Sequence, residues 1–234
     1  MAYDVITLMV EDHDNFIHIL ADRTHKEAMV VDPAWDAEGI REVLQEEGLT
    51  LTGILITHSH HDHVNAVREL YGSGVTLFIS EAEYPYWPDC PKDAVLVTEG
   101  DEIAFADSSI GVIMTPGHTP GGCCYHLGNS LIVGDTLFIY GCGRADLQGS
   151  DPHELFHSLQ KLKKLPSSTQ IYVGHNYGIK EVSTLGEQLA GNPFLMIENE
   201  EDFVRYRMTL AGKTRKAPYG PISQAELDNV LHEA

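Results

Sequence analysis

Short apolar runs separated by polar turns dominate the first part of the chain. The predicted strands in this part are 3–10, 15–21, 27–32, 54–57 and 75–80. Helical spacing appears over 36–47, where Ile40 and Leu44 recur four positions apart and Gly48 follows as a stop. A second helix is predicted over 62–71. This alternation indicates helices packed on a sheet.

Short strands continue through the middle of the chain, and helices dominate its end. The predicted strands are 95–97, 103–105, 110–115, 123–127, 130–133 and 171–173. Asp151 and Pro152 fit the N-cap and first position of a helix that we expect to reach Leu165. After the strand at 171–173 we expect helices only, over 180–190, 200–210 and 223–233. Strands followed by helices in each half suit a two-sheet sandwich covered by helices.

Composition limits the classes of function. The 234 residues, 43% of them hydrophobic, suit one sizeable domain or one domain with a small appendage. With 35 acidic and 15 basic residues, the net charge is -20. This balance argues against binding to nucleic acid or to an anionic membrane surface. A locally positive pocket would still allow a small acidic substrate.

The cysteines and the hydropathy pattern indicate a cytoplasmic protein. The four cysteines are Cys90, Cys123, Cys124 and Cys142, and they form neither a disulfide scaffold nor a CxxC pair. The first ten residues carry no basic segment typical of a signal peptide, and no apolar run is long enough to span a membrane. Between its two glycines, Cys142 is expected to be a small buried residue rather than a reactive one.

One stretch concentrates the candidate chemistry. Positions 58–63 hold four histidines and one aspartate, between a strand and a helix. Neutral imidazole is the commonest biological metal ligand, and carboxylate often accompanies it. In an extended loop His58 and His60 point the same way. Asp62 and His63 are adjacent in the first helical turn. The stretch therefore predicts most of a dinuclear metal site.

Three later residues repeat one arrangement. His118, Asp135 and His175 each follow a short apolar strand directly. Ligand-binding residues gather beyond the carboxyl ends of strands, so these three side chains are expected to converge with the histidine stretch. Taken singly, each histidine would more often be structural, and Asp135 a turn residue or helix cap. Their joint occurrence favours ligands.

These motifs together resemble the metallo-β-lactamase superfamily. The segments 134–138, 141–144 and 174–177 resemble more narrowly its glyoxalase II (hydroxyacylglutathione hydrolase) branch, and the segment 192–195 extends the likeness to about residue 204. The resemblance implies the α/β class, as an αββα sandwich with C-terminal helices. It implies a catalytic domain over 1–178 and a helical segment over 179–234 that packs on it and lines the substrate cleft.

The resemblance also implies a ligand set for two divalent metal ions, with zinc as first choice and iron or manganese as alternatives. His58, His60 and His118 would bind the first metal, Asp62, His63 and His175 the second, and Asp135 both. A metal-activated hydroxide would attack a thioester, with Asp62 as a catalytic residue that orients it. His61 is expected to face away. Arg144 and Tyr177 are candidates for substrate binding, or else a surface arginine and a packing residue.

Two activities fit this resemblance. The first is hydrolysis of an acyl-glutathione, or of an acyl-pantetheine on an acyl-carrier protein, as in polyketide-pathway hydrolases. The second is a persulfide dioxygenase with a single iron on His58 or His60 together with His118 and Asp135. Arg144 matches the glyoxalase II pattern, but Ala145 and the following aspartate do not. The basic run 213–216 either lines the substrate cleft or is a solvated loop.

Overall fold

Two six-stranded sheets form the centre of the molecule. The structure is a computed structural model, and it describes residues 3–10 and 14–232. One hydrophobic cluster lies between the sheets, and helices cover the outer face of each sheet over two further clusters. The predicted αββα sandwich with C-terminal helices is thus confirmed. Within the described residues no helix is long and apolar enough to cross a membrane.

The first sheet is built from the N-terminal part of the chain. Its strands, in spatial order, are β1 (Tyr3–Val10), β2 (Asn15–Asp22), β3 (Glu27–Val31), β4 (Thr50–Leu55), β5 (Thr76–Ser80) and β6 (Val95–Val97). The strands from β3 to β6 are parallel. The helix α1 (Ala37–Glu46) connects β3 to β4, and the short helices α2 (His61–Val64) and α3 (Val67–Leu70) follow β4. The carboxyl ends of β3, β4 and β5 therefore meet at one edge.

The second sheet brings later strand ends to the same region. Its strands are β7 (Glu102–Phe105), β8 (Ser108–Met114), β9 (Cys123–Leu127), β10 (Ser130–Ile132), β13 (Gln170–Tyr172) and β14 (Val182–Thr184), and β11 (Leu137–Phe138) with β12 (Gly141–Cys142) forms a small ribbon. The strands β10 and β13 are parallel. Beyond them, the amide of Gly174 donates to the carbonyl of Gly134 at 3.0 Å. This pairing sets Asp135 beside His175.

The remaining helices cover the second sheet. They are α4 (Pro152–Leu162), α5 (Leu185–Gly191), α6 (Pro193–Met196), α7 (Glu200–Arg205), α8 (Ala211–Thr214) and α9 (Gln224–His232), with a π-helical turn at Tyr206–Leu210. Phe203 and Leu227 share one hydrophobic cluster with Leu131 and Leu155. The described part of the segment 179–234 therefore packs on the sandwich, while the boundary at residue 178 stays a prediction.

The prediction of one helix over 62–71 is wrong. The chain forms the two short helices α2 and α3 instead, with a break at Asn65 and Ala66. The amide of Ala66 donates to the carbonyl of Pro33 at 3.3 Å, and the Asn65 side-chain oxygen accepts from the amide of Trp35 at 2.6 Å. Contacts to the loop after β3 thus replace the intrahelical bonds.

The prediction that only helices follow the strand at 171–173 is also wrong. Residues 182–184 form β14, which pairs antiparallel with β13. Helix α5 begins one residue later, because Thr184 and Glu187 cap it reciprocally. The predicted helix over 200–210 has its second half in the π-helical turn. The predicted end of the last helix, at residue 233, lies outside the described residues.

Candidate metal centre and active site

The first predicted ligand group is brought together at the ends of β4 and β8. The ligand atoms of His58, His60 and His118 lie within 4.8 Å of one another. His60 Nδ1 is 3.1 Å from His118 Nε2. Two nitrogens bound to one tetrahedral zinc ion would be about 3.3 Å apart. The three imidazoles therefore have the spacing of a metal site.

The second predicted group lies beside the first. The ligand atoms of Asp62, His63 and His175 also lie within 4.8 Å of one another. His175 Nε2 is 3.3 Å from His63 Nε2 and 3.4 Å from Asp62 Oδ2. The loop after β13 thus carries His175 to the first turn of α2, which holds the other two side chains.

Asp135 lies between the two groups. Its Oδ1 is 3.4 Å from His63 Nε2. Its Oδ2 is 3.6 Å from His118 Nε2 and 3.4 Å from His175 Nε2. One carboxylate thus faces histidines of both groups, which is the position that a bridging ligand requires.

Unsatisfied polar atoms at the centre fit a pair of divalent cations. His58 Nε2 and Asp135 Oδ1 are buried and have no hydrogen-bond partner within residues 3–10 and 14–232. Buried polar atoms without a partner carry a desolvation cost, which a coordinated cation removes. Imidazole nitrogens with carboxylate oxygens suit zinc, and also iron or manganese. The residues present therefore fit two divalent metal ions.

The electrostatics of the centre favour bound cations. Burial acts to raise the pKa of Asp135, but the charges of His175 and His63 outweigh it and hold the pKa well below its usual range. Burial acts to lower the pKa of His175, yet Asp135 and Asp62 raise it to about 10. Burial lowers the pKa of His58 well below its usual value, so this imidazole is neutral. The centre thus offers ionised carboxylates and at least one neutral imidazole.

Asp32 is a further site residue, outside the set predicted from the sequence. Its carboxylate accepts from the Thr57 amide at 2.7 Å, the Thr57 hydroxyl at 2.5 Å and His63 Nδ1 at 3.0 Å. The Thr57 oxygen in turn accepts from His58 Nδ1 at 3.0 Å. The ligand atoms of Asp32, His58 and His63 also lie within 4.8 Å of one another, close enough to bind one metal ion. The hydrogen bonds just described, however, occupy the Asp32 oxygens. Asp32 therefore orients two candidate ligands.

The position of Asp32 at the end of a strand is a sequence signal for its place in the site. Asp32 follows β3 directly, as His118 follows its own strand, and β3 is parallel to the strand before the histidine stretch. The pattern of apolar residues predicts only a strand over 27–32 and assigns the aspartate at its end no role. The strand-end rule applied to the other ligands would have included it.

Two further buried residues hold the site loops in place. Glu83 accepts from the amide and hydroxyl of Ser59, at 2.8 and 2.5 Å, and from the amide of Gly121 at 2.9 Å. It therefore ties the histidine stretch to the turn that carries His118. Asn15 Nδ2 donates to the Asp62 carbonyl at 3.0 Å. Neither residue had a motif that would have indicated this role.

The candidate substrate-binding residues differ in their surroundings. The Arg144 side chain is exposed and donates to both carboxylate oxygens of Asp146, at 2.9 and 3.0 Å. Only its backbone carbonyl touches the candidate centre, accepting from His118 Nδ1 at 2.8 Å. Tyr177 stacks on His175 with ring centres 4.8 Å apart. Substrate binding by Arg144 and Tyr177 stays a prediction.

Other residues near the centre have structural surroundings. The His61 ring packs edge-on against Trp35, with ring centres 5.6 Å apart, and it belongs to neither ligand group. Cys142 is buried, and burial raises the pKa of its thiol to about 12. In the basic run 213–216, the Arg215 guanidinium donates to the carbonyls of Tyr140 and Gly220. Arg215 thus ties the C-terminal segment to the loop after β11.

The fold and the converging ligands define a class of protein that comparison also identifies. The model of the metallo-β-lactamase superfamily matches residues 18–175, a span that contains all seven candidate ligands. The chain belongs to this superfamily.

Particular relatives narrow the comparison. The chain is 37% identical to a probable polyketide biosynthesis zinc-dependent hydrolase, BaeB, of Bacillus velezensis, over 82% of this chain and 87% of that one. It is 37% identical to a hydroxyacylglutathione hydrolase of Photobacterium profundum, over 83% and 74% of the two chains. The crystal structure of ETHE1 from Myxococcus xanthus superimposes with a TM-score of 0.78 at 28% identity, over 90% and 92%. The similarity to these two hydrolases supports the conclusion that this chain is a metal-dependent hydrolase.

Proposed function

We propose that this protein is a dinuclear metal-dependent hydrolase that cleaves a thioester. The observation that carries the proposal is the position of Asp135 between two complete ligand groups. The similarity to hydroxyacylglutathione hydrolases and to polyketide biosynthesis hydrolases supports it. Its substrate is a small acyl thioester or an acyl group on a carrier protein, and we place the reaction in the cytoplasm.

Each of the seven candidate metal ligands has a role in this proposal. His58, His60 and His118 would hold one metal ion, Asp62, His63 and His175 the other, and Asp135 both. When bound, two divalent ions lower the pKa of a water molecule to near neutral and polarise a carbonyl oxygen. Asp62 would also orient the attacking water, because Asn15 fixes its backbone and its Oδ2 faces His175 at 3.4 Å. A thiolate leaving group needs little protonation near neutral pH.

A persulfide dioxygenase is the second candidate. It would use a single iron on His58 or His60 together with His118 and Asp135. The similarity to ETHE1 gives it some support, although no more than the hydrolases give the first candidate. The geometry favours hydrolysis, because a single-iron enzyme would not need the complete group of Asp62, His63 and His175.

Metal analysis combined with a substrate panel tests the proposal. We expect two divalent ions per chain in the purified protein and hydrolysis of at least one acyl-glutathione, acyl-coenzyme A or acyl-pantetheine thioester. The matched control is the same protein after chelation, which should lose activity and regain it with zinc. One iron per chain with sulfite formed from a persulfide would instead establish the dioxygenase.

A further inference from the structure

A groove of about 650 Å³ opens beside the candidate centre. Its lining includes His60 and Asp62, one residue from each ligand group. A substrate that reaches the metals can therefore extend into this space. The chemistry of the other lining residues decides which part of a substrate fits.

Among the residues that the structure describes, no lysine or arginine of the kind that binds carboxylates lines the groove. Of the lining residues, Glu83 is buried, and its carboxylate oxygens accept from Ser59 and Gly121. Arg144 lies close by in sequence, but its guanidinium is engaged with Asp146. Away from the metal centre, an anionic group in the groove would thus lose hydration without gaining a cationic side chain as partner.

The outer wall of the groove is apolar. Tyr86 is 54% exposed and lines the groove together with Pro120 and Leu147. Gly149 has a positive φ of 84°, and a Cβ there would lie 3.0 Å from Pro120 Cγ. Glycine thus lets the loop pack closely against this wall. An exposed aromatic ring at the edge of a groove is suited to contact an uncharged chain.

We infer that this groove selects an uncharged portion of the substrate, with Tyr86, Pro120 and Leu147 as its apolar wall. The inference rests on the proposed thioester hydrolysis and specifies its substrate class. Both an apolar acyl chain and the amide-bearing arm of pantetheine have this chemistry. Acyl groups that end in a carboxylate are disfavoured.

The charge selectivity is tested with butyryl and succinyl thioesters of N-acetylcysteamine. We expect kcat/KM of the metal-loaded enzyme to be at least about fivefold higher for the butyryl ester. Gln148 lines the groove and is exposed, so Gln148→Lys should reduce this preference by about fivefold. Gln45→Lys adds the same charge at an exposed position of α1 outside the groove and should leave it unchanged. A wild-type preference for succinyl, or equal effects of the two lysines, would overturn the inference.

The apolar wall is tested with Tyr86→Ala, with Tyr86→Phe as the control that keeps the ring. The ratio of kcat/KM for the hexanoyl ester to that for the acetyl ester of N-acetylcysteamine should fall about fivefold in the alanine variant, through a higher KM for the hexanoyl ester, and should be kept in the phenylalanine variant. If the pantetheine arm occupies the groove, Tyr86→Ala should instead raise KM for acetyl-pantetheine about fivefold relative to KM for acetyl-mercaptoethanol. If Tyr86→Ala keeps the wild-type selectivity in both the acyl series and the thiol series, the assignment is contradicted.

Binding separates failure of this inference from failure of the proposed function. The probe is a ketone analogue of the hexanoyl ester in which a methylene group separates the sulfur from the carbonyl, measured by calorimetry. If the wild type hydrolyses no thioester, the proposed function fails, but weaker analogue binding by Tyr86→Ala still supports the groove. If thioesters are hydrolysed and neither kinetics nor binding responds to Tyr86→Ala or Gln148→Lys, the groove assignment fails alone.

Discussion

The carboxylate of Asp32 accepts a hydrogen bond from Nδ1 of His63 at 3.0 Å, and both side chains are buried. Because Nδ1 is engaged with Asp32, Nε2 is the His63 atom left to bind a metal ion, and it faces Asp135 and His175. Asp32 also orients His58 through the Thr57 hydroxyl. One carboxylate outside the two ligand groups thus sets the orientation of a histidine in each.

Asp32→Asn should weaken metal binding about tenfold to a hundredfold. An amide is a poorer acceptor for the His63 ring and for the Thr57 hydroxyl, so both ligands lose their fixed orientation. Competition with a chromophoric chelator measures the affinity. Asp36→Asn is the matched control, because Asp36 caps α1 and asparagine caps a helix equally well. Equal affinities of the two variants would show that Asp32 does not orient the ligands.

Gly174→Ala should disturb the centre without unfolding the protein. A Cβ at this position would lie 2.5 Å from Asp135 Oδ1 and 2.9 Å from His63 Cε1, so a candidate ligand must shift. We expect metal content to fall and kcat/KM to drop at least about tenfold. Gly72→Ala is the control, since a Cβ there has no neighbour within 4 Å. If both variants retain full metal content and activity, this close packing is unimportant.

His18 should make the protein less stable in acid. Burial lowers the pKa of its ring from 6.5 to about 4, while Nε2 donates to the Val173 carbonyl at 2.9 Å. The folded state therefore disfavours protonation of the His18 ring. The stabilisation is complete above pH 6.5 and is lost as pH falls from there toward 4, up to about 3 kcal/mol.

The variant His18→Gln isolates this effect, because glutamine does not titrate. Urea denaturation should show that the free energy of unfolding falls between pH 7 and pH 5 by about 2 kcal/mol more in the wild type than in the variant. The comparison of slopes cancels the contributions of the many other titrating groups. An identical decrease in both proteins would exclude His18 as their source of acid sensitivity.

The sequence was sufficient for the parts of the fold and site that depend on local pattern. The seven candidate ligands lie beyond the carboxyl ends of apolar strands. Parallel pairing, and for β8 and β10 their shared antiparallel partner β9, carries these strand ends to one edge. Their convergence could be predicted because strand ends are visible as apolar runs. The helix α1 was predictable for the same reason, since its buried face recurs at helical spacing.

What the sequence did not reveal depends on contacts between distant segments. The break between α2 and α3 requires the Pro33 carbonyl to accept from Ala66, and no local pattern encodes that bond. Glu83 acquires its role only when β5 places it beside both Ser59 and Gly121. The ion pair of Arg144 with Asp146 likewise depends on side-chain conformation within a loop, although the two residues are only two positions apart.

The central claim is a two-metal centre that Asp135 bridges, and the metal content of three proteins tests it most directly. Mass spectrometry of the wild type, His175→Ala and Asp135→Ala after identical loading with zinc gives metals per chain. We expect about two, about one and less than one, because His175 serves only the second group whereas Asp135 faces both. A wild type with a single metal, or Asp135→Ala with as much metal as the wild type, would contradict the account.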